Sequence, residues 1–151
     1  MLMTISLAFF LVVSSFIFHY RVLLWLGAFA PTLKLKPEAQ VLVVVIVLFF
    51  AHIIEIGFYA AAYYWSVAEL ELGIFRGANL TEPMSYLYYS GVIYTSLGLG
   101  DIFPEGHIRF ITAMEALNGF LLITWTASFT FLAMGRLWTW KVCCDDSDGE
   151  A

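Results

Sequence analysis

Three stretches of this chain are long and apolar enough to cross a bilayer, and that fixes the solvent the fold is built for. A helix rises about 1.5 Å per residue, so a ~30 Å hydrocarbon core needs about 20 residues. Residues 1–28, which hold LAFFLVVSSFIF, reach that length. So do residues 40–65, QVLVVVIVLFFAHIIEIGFYAAAYYW, and residues 108–135. Of the 151 residues, 62% are hydrophobic and 13% charged, whereas a soluble domain carries roughly 45–50% and about 25%. One globular core cannot bury that excess. The reading is an all-α integral membrane protein with three transmembrane helices and the lipid bilayer as a partner. The net charge of -5 excludes the basic footprint of a nucleic-acid binder.

Basic residues set the expected orientation. Arg21, Lys34 and Lys36 surround the first turn, and Arg136 and Lys141 follow the third span. Both places are expected to be cytoplasmic. The N-terminus and the acidic connection 66–107, with Glu69, Glu71, Glu82, Asp101 and Glu105, are then external. The expected location is a plasma membrane, as in a bacterial inner membrane, crossed several times. Tyr63, Tyr64, Trp65, Trp138 and Trp140 suit interfacial belts. Residues 1–30 read as a retained helix and not a cleaved signal, because they lack a basic start and their apolar region is too long. Residues 136–151 read as a short, solvated cytoplasmic tail. The adjacent Cys143 and Cys144 are poorly spaced to bridge one another, and no disulfide framework is expected.

The external connection holds an apolar piece of its own, MSYLYYSGVIYTS, residues 84–96. It is too short to span, and its length suits a re-entrant segment. Thr81-Glu82-Pro83 reads as a helix start, with a hydroxyl cap and a proline near the first helical position. The preceding Asn79-Leu80-Thr81 is a glycosylation sequon, relevant only in a secretory host. A half-helix entering from outside points its C-terminal end at the membrane centre. Non-helical backbone at that depth persists only inside protein or along a watery path.

At that point the chain reads Ser96-Leu97-Gly98-Leu99-Gly100-Asp101. A strand that turns successive carbonyls toward one axis must alternate ordinary and left-handed backbone, and Gly98 and Gly100 fall at alternate positions. Carbonyls in such a row replace the water around a dehydrated cation, with the Ser96 hydroxyl adding oxygen at the inner end. The negative end of the half-helix dipole favours a cation just below it.

Residues Tyr88 to Phe131 resemble the pore region of potassium channels, particularly the small bacterial pore-only type. The family signature T-T-V-G-Y-G-D meets Thr95-Ser96-Leu97-Gly98-Leu99-Gly100-Asp101, and Ile102-Phe103-Pro104 continues it. The resemblance covers about residues 40–135. It implies a homotetramer with an outer helix at 40–65, a pore helix at 84–96, a filter at 96–101 and an inner helix at 108–135. It implies monovalent cations held at Ser96, Leu97, Gly98 and Leu99, with Gly100 closing the filter. Thr95, Asp101, Tyr88 and Tyr89 would support it, the two tyrosines as an aromatic cuff. Potassium is then the permeant species, and no cofactor is expected. Three positions depart from the family. Ser96 loses the methyl of threonine, Leu99 replaces the usual tyrosine, and Val92 stands where many relatives have a carboxylate. These bear on potassium-over-sodium selectivity more than on conduction.

Other residues carry two readings each. Gly119 matches the family's hinge glycine by its distance from the filter and equally fits close helix packing. Phe120, Ile123, Ala127 and Phe131 share a helical face, which suits either a cavity lining or ordinary packing. His52 and Glu55 lie three apart on one helical face, with Glu115 on the third span; ionisable groups in a membrane usually face protein or water. They read either as a pH-sensitive cluster or as a structural contact among outer, inner and pore helices. A nonselective or sodium-permeable pore keeps the same architecture. A membrane enzyme would instead need His52, Glu55 and Glu115 to converge as metal ligands or as an acid-base set. The first helix reads as a peripheral brace or as a contact for an accessory subunit. No span carries a repeated arginine series, so voltage sensing of the usual kind is not expected.

Overall fold

A computed structural model of the chain describes residues 1–77 and 82–137. Its frame is three long helices, α1 (Leu2–Phe29), α2 (Pro37–Ala68) and α4 (Ile108–Leu137). All three are long and apolar enough to cross a membrane, so this is a multi-pass membrane protein. Pro37 opens α2 at its first turn with Glu38 beside it, where a missing N–H costs nothing and a negative charge faces the positive helix end. Lys36 before it is extended, as a residue preceding proline must be. A 3-10 turn, Ala30–Thr32, closes the gap from α1, and the Gln40 side chain donates to the Leu33 carbonyl at 2.7 Å.

The buried stripes of these helices are unusual in being more polar than their outer faces. In α1 the stripe is Thr4, Ala8, Leu11, Ser15, His19, Leu23 and Leu26, at steps of three and four. In α2 it includes Gln40, Val44, Ala51, Glu55, Tyr59 and Ser66. Phe9, Phe10, Phe49 and Phe50 meanwhile point outward, each more than half exposed. Where the surroundings are hydrocarbon, apolar side chains have no reason to turn inward, and polar ones must find partners inside the protein.

Between α2 and α4 sits α3 (Pro83–Tyr94), the short helix. Pro83 occupies its first turn, as expected, but the capping residue is Glu82, acting through its backbone alone. Thr81 and the sequon lie outside the described residues, as do Trp138, Trp140, Lys141 and the cysteine pair. The helix ends at Tyr94 and not at residue 96, because Thr95 and Ser96 leave helical geometry to form its cap.

One element was not expected. β1 (Gly73–Gly77) pairs antiparallel with β2 (Ile102–Gly106), Gly73 opposite Gly106 and Gly77 opposite Ile102. This two-stranded ribbon ties the start of the connection between α2 and α3 to the segment leaving residue 101. Phe75 fixes it to the helices by packing edge-on against Tyr63 of α2 and against Tyr86 and Tyr89 of α3.

Candidate functional site

The end of α3 is closed by a Schellman cap. The Ser96 amide donates to the Ile93 carbonyl at 2.8 Å and the Leu97 amide to the Val92 carbonyl at 3.0 Å. Such a cap requires a left-handed residue, a place glycine usually takes. Here Ser96 takes it, with φ +58°. The Thr95 hydroxyl donates to the Gly91 carbonyl at 2.7 Å, which locks the last turn.

Beyond the cap the left-handed positions recur at every second residue, Ser96, Gly98 (φ +57°) and Gly100 (φ +76°). A Cβ added at Gly98 or Gly100 would meet nothing within 4 Å. Glycine is needed there for its conformation and not for space. The amides of Thr95, Ser96, Leu97 and Gly98 all donate back to the end of α3. Among the described residues, the carbonyls of Thr95 to Gly100 accept nothing, and all six residues are exposed. Among the described residues, the strand therefore presents a row of free carbonyl oxygens, and the amides of its first four residues are already satisfied.

Asp101 ends that row and is held from two sides. Its Oδ2 accepts from the Tyr88 hydroxyl at 2.7 Å, and its Oδ1 accepts from the Ile102 amide at 3.1 Å. Gly77 lies against the Asp101 carbonyl so closely that a Cβ would overlap it; the ribbon thus braces the Asp101 end of the strand. Tyr89 turns away from the strand, correcting its expected place in a cuff. It is buried behind α3, its hydroxyl 3.0 Å from that of Thr112 and its ring 5.2 Å from that of Tyr63.

Residues 41–136, well over half of the chain, match the family described as ion channel. The chain belongs to the ion-channel family. The matched span opens within α2 and closes within α4, so α1 lies outside it. No curated relative and no solved structure gives a match to the channel.

Behind the strand, the channel's buried polar residues form two separate groups. Glu115 of α4 accepts from Ser90 of α3 and from Tyr63 of α2. The Ser90 hydroxyl also lies 2.8 Å from the Ile56 carbonyl. This group pins the middle of the short helix to both neighbours. The second group surrounds Glu55, which accepts from Tyr94, the last residue of α3. His52 Nδ1 lies 3.1 Å from Glu55, and its Nε2 lies 2.9 Å from the Thr126 hydroxyl of α4. His52 and Glu55 do meet, but Glu115 is not with them. The residue that joins them is His19 of α1, fully buried, with Nδ1 2.9 Å from Glu55 Oε1.

Sequence reasoning missed His19 because it has no ionisable neighbour at helical spacing on its own helix. The available signal was its place in the small-and-polar stripe Thr4, Ala8, Ser15, His19. Among the described residues, the ligand-type atoms that converge within 4.8 Å belong to His19, His52 and Glu55. The set imagined for an enzyme, with Glu115 as its third member, does not assemble.

Gly119 lies where α4 crosses the end of α3, and a Cβ there would overlap the Tyr94 carbonyl. At this position glycine supplies space. Phe120, Ile123, Ala127 and Phe131 all lie on exposed parts of α4, Phe131 at 75%. They share none of the buried stripe Ile108, Ile111, Glu115, Asn118, Gly119 and Leu122.

Proposed function

We propose that four copies of this channel surround one axis and conduct potassium through the strand Ser96–Gly100. The observation that carries the reading is the row of unpaired carbonyls on alternating left-handed backbone, directly after the end of a short helix. A single chain supplies one side of each oxygen ring, and four chains would surround a dehydrated monovalent cation at Ser96, Leu97, Gly98 and Leu99. Neutral carbonyls suit a monovalent ion, which gives up its water more readily than a divalent one does. The negative end of α3 lowers the potential just beneath.

In this assembly the exposed face of α4 turns toward the cavity and the neighbouring copies. Phe120, Ile123 and Ala127 then line the inner vestibule, and Phe131 forms an apolar constriction that gates by dewetting. Thr95, Tyr88 and Asp101 hold the filter in shape. The permeant ion is the only ligand the reading requires. The membrane is a plasma membrane, with the N-terminus outside and the C-terminus cytoplasmic, as the basic residues favour.

One specific feature favours weaker discrimination as a second reading. Leu99 is 56% exposed and has no hydrogen-bonding group, and Val92 offers Asp101 no carboxylate partner. Among the described residues, the side-chain support of the outer filter then comes from the Tyr88–Asp101 contact.

Reversal potential across planar bilayers with the purified full chain tests both readings. A value near the potassium equilibrium potential, kept when sodium opposes potassium, is the expected result. Clear current with a potential near zero under opposing ions would replace selectivity with nonselective conduction. Transport of neither ion across the pH range would remove the channel reading for this strand.

A further inference from the structure

Two imidazoles from different helices turn the same edge toward one buried carboxylate. His19 Nδ1 lies 2.9 Å from one oxygen of Glu55, and His52 Nδ1 lies 3.1 Å from the other. The Tyr94 hydroxyl donates to Glu55 and lies 2.9 Å from His52 Nδ1. Two ring nitrogens, a carboxylate and a phenol oxygen therefore face one another, and the ligand-type atoms of His19, His52 and Glu55 all fall within 4.8 Å. They are brought together by α1, α2 and the end of α3.

The carboxylate at the centre of this group has no fixed counter-charge. Glu55 and His19 are fully buried within two helices that cross the membrane. Among the described residues, no lysine or arginine forms an ion pair with Glu55. Its donors are imidazoles and a phenol, none of which carries an obligatory positive charge. Buried carboxylates are paired with charge or coordinate a metal, and here nitrogen donors already stand around both oxygens.

We propose that His19, His52 and Glu55 form a binding site for one zinc-class divalent cation, with the Tyr94 oxygen beside its fourth position. In a tetrahedral site with zinc–nitrogen bonds of about 2.0 Å, neighbouring donors stand about 3.3 Å apart. The gaps of 2.9 and 3.1 Å between the imidazoles and Glu55 need to open only slightly to admit the ion. Two imidazoles and one carboxylate are a donor set that zinc accepts with its fourth position left open. The nitrogens also set the class of ion, because imidazole suits zinc and its transition-metal neighbours whereas magnesium and calcium favour oxygen donors. Binding fastens α1 to α2 and, through Tyr94, to the end of α3. It uses none of the carbonyls of Ser96–Gly100, so the site does not depend on the channel reading above.

The far edges of the imidazoles fit the same site. A histidine that binds a metal through Nδ1 keeps its proton on Nε2, and that second N–H is usually given to an oxygen that fixes the ring. Both Nε2 atoms meet one oxygen, Thr126 Oγ1 of α4, at 2.9 Å from His52 and 3.1 Å from His19. A hydroxyl oxygen has two lone pairs and can accept from both. Its neighbours on the helix, Thr124 and Ser128, give their hydroxyls to carbonyls four residues back, at 2.8 and 3.1 Å. Thr126 makes no such bond among the described residues and stays with the imidazoles. An entry path exists as well: the His52 side chain is 17% exposed, while Glu55 is closed over.

The test uses the untagged full chain in lipid nanodiscs, carrying His107→Asn, Cys143→Ser and Cys144→Ser so that His19 and His52 are the remaining histidines and no cysteine competes. Cobalt(II) is the spectroscopic probe and zinc its competitor. The expected result is one cobalt per chain with the strong visible absorption of a tetrahedral site, displaced by zinc and not by excess magnesium. His52→Cys is expected to keep the ion and add a sulfur-to-cobalt charge-transfer band in the near ultraviolet. Thr126→Val, which leaves every ligand in place, is expected to weaken cobalt binding about 10–100-fold. Folded chain that takes up no cobalt, or holds it with the weak spectrum of an octahedral ion, would overturn the proposal. So would a His52→Cys complex without the sulfur band, or a Thr126→Val affinity equal to the parent's. If His52→Cys does not fold, the parent spectrum and Thr126→Val decide the matter. None of these measurements needs conduction, so failure of the channel reading and failure of the metal site give different results.

Discussion

Gly119 of α4 lies directly against the Tyr94 carbonyl at the end of the short helix, with no room between them for a single methyl group. This contact sets how closely α4 approaches the backbone that leads into the strand Ser96–Gly100. It also separates two explanations of the glycine. If flexibility were its purpose, Gly119→Ala should stabilise the helix by about 1 kcal/mol, because alanine is the better helix former. If space is its purpose, the added methyl must displace the Tyr94 carbonyl or α4, at a cost of about 1–3 kcal/mol. We expect the second sign, read as a lower unfolding midpoint of the purified chain in detergent.

Helix α1 falls outside the family match, yet it contributes half of the imidazole pair. His19→Ala would leave Glu55 buried at 0% exposure with one hydrogen-bond partner removed. Leaving a buried polar group short of a partner costs about 1–3 kcal/mol. The expected outcome is loss of folded protein on extraction, with partial recovery in His19→Asn, which keeps a hydrogen-bond donor. Normal yield and midpoint for His19→Ala would return α1 to the role of a peripheral brace.

The spans and the left-handed alternation after the short helix were legible in the sequence for a simple reason. Apolar length is additive along the chain, and the alternation of Gly98 and Gly100 is a local conformational demand. The ribbon was not legible. Its five-residue strands begin or end in glycine, and Pro104 interrupts one of them, so neither shows an alternating pattern. The two polar groups were half legible: His52 and Glu55 share a face by spacing alone. Whether Glu115 would join them depends on the rotation of α4, which the Gly119–Tyr94 contact decides and no local pattern encodes. His19 was hidden because its partners lie 36 and 107 residues away.

Tyr88 and Asp101 give a prediction with a pH sign. The hydrogen bond to the Asp101 carboxylate, ahead of burial, pushes the Tyr88 hydroxyl above the ordinary tyrosine range. A raised value means that the contact is fully present below the ordinary value of about 10 and is lost as pH rises through the shifted one. The Tyr88–Asp101 contact should therefore behave alike from neutral pH to about 10. Tyr88→Phe should produce at neutral pH what strong alkali produces in the parent: shorter conducting bursts with unchanged assembly. Single-channel recordings at fixed voltage would measure this, and burst lengths equal to the parent's would exclude Tyr88 as a filter support.

The ribbon contains one contact that should matter and one that should not. Arg76 and Glu105 pair at 2.9 Å, but their side chains are 61% and 42% exposed. Such a pair contributes at most about 1 kcal/mol, so Arg76→Ala should leave the unfolding midpoint nearly unchanged. Gly77 combines φ +106° with contact against the Asp101 carbonyl. Gly77→Ala must therefore move Asp101, and reduced current with intact folding is the expected signature. Equal effects from the two substitutions would mean that the ribbon braces the strand by charge and not by shape.

Ser96 separates the cap from the proposed ion site, because its backbone and its side chain do different things. The cap uses its amide, its left-handed φ and the following Leu97 amide, none of which needs the hydroxyl. Ser96→Gly should therefore keep the cap and relieve the cost of placing a side chain in the left-handed region, of order 1 kcal/mol. It should also remove the hydroxyl oxygen that the proposed filter takes from Ser96. A chain that is as stable as the parent or more so, but conducts less at low ion concentration, is the predicted combination. It would be measured by unfolding in detergent and by conductance against potassium concentration. Unchanged conductance would confine Ser96 to capping and leave the inner ring to the carbonyls alone.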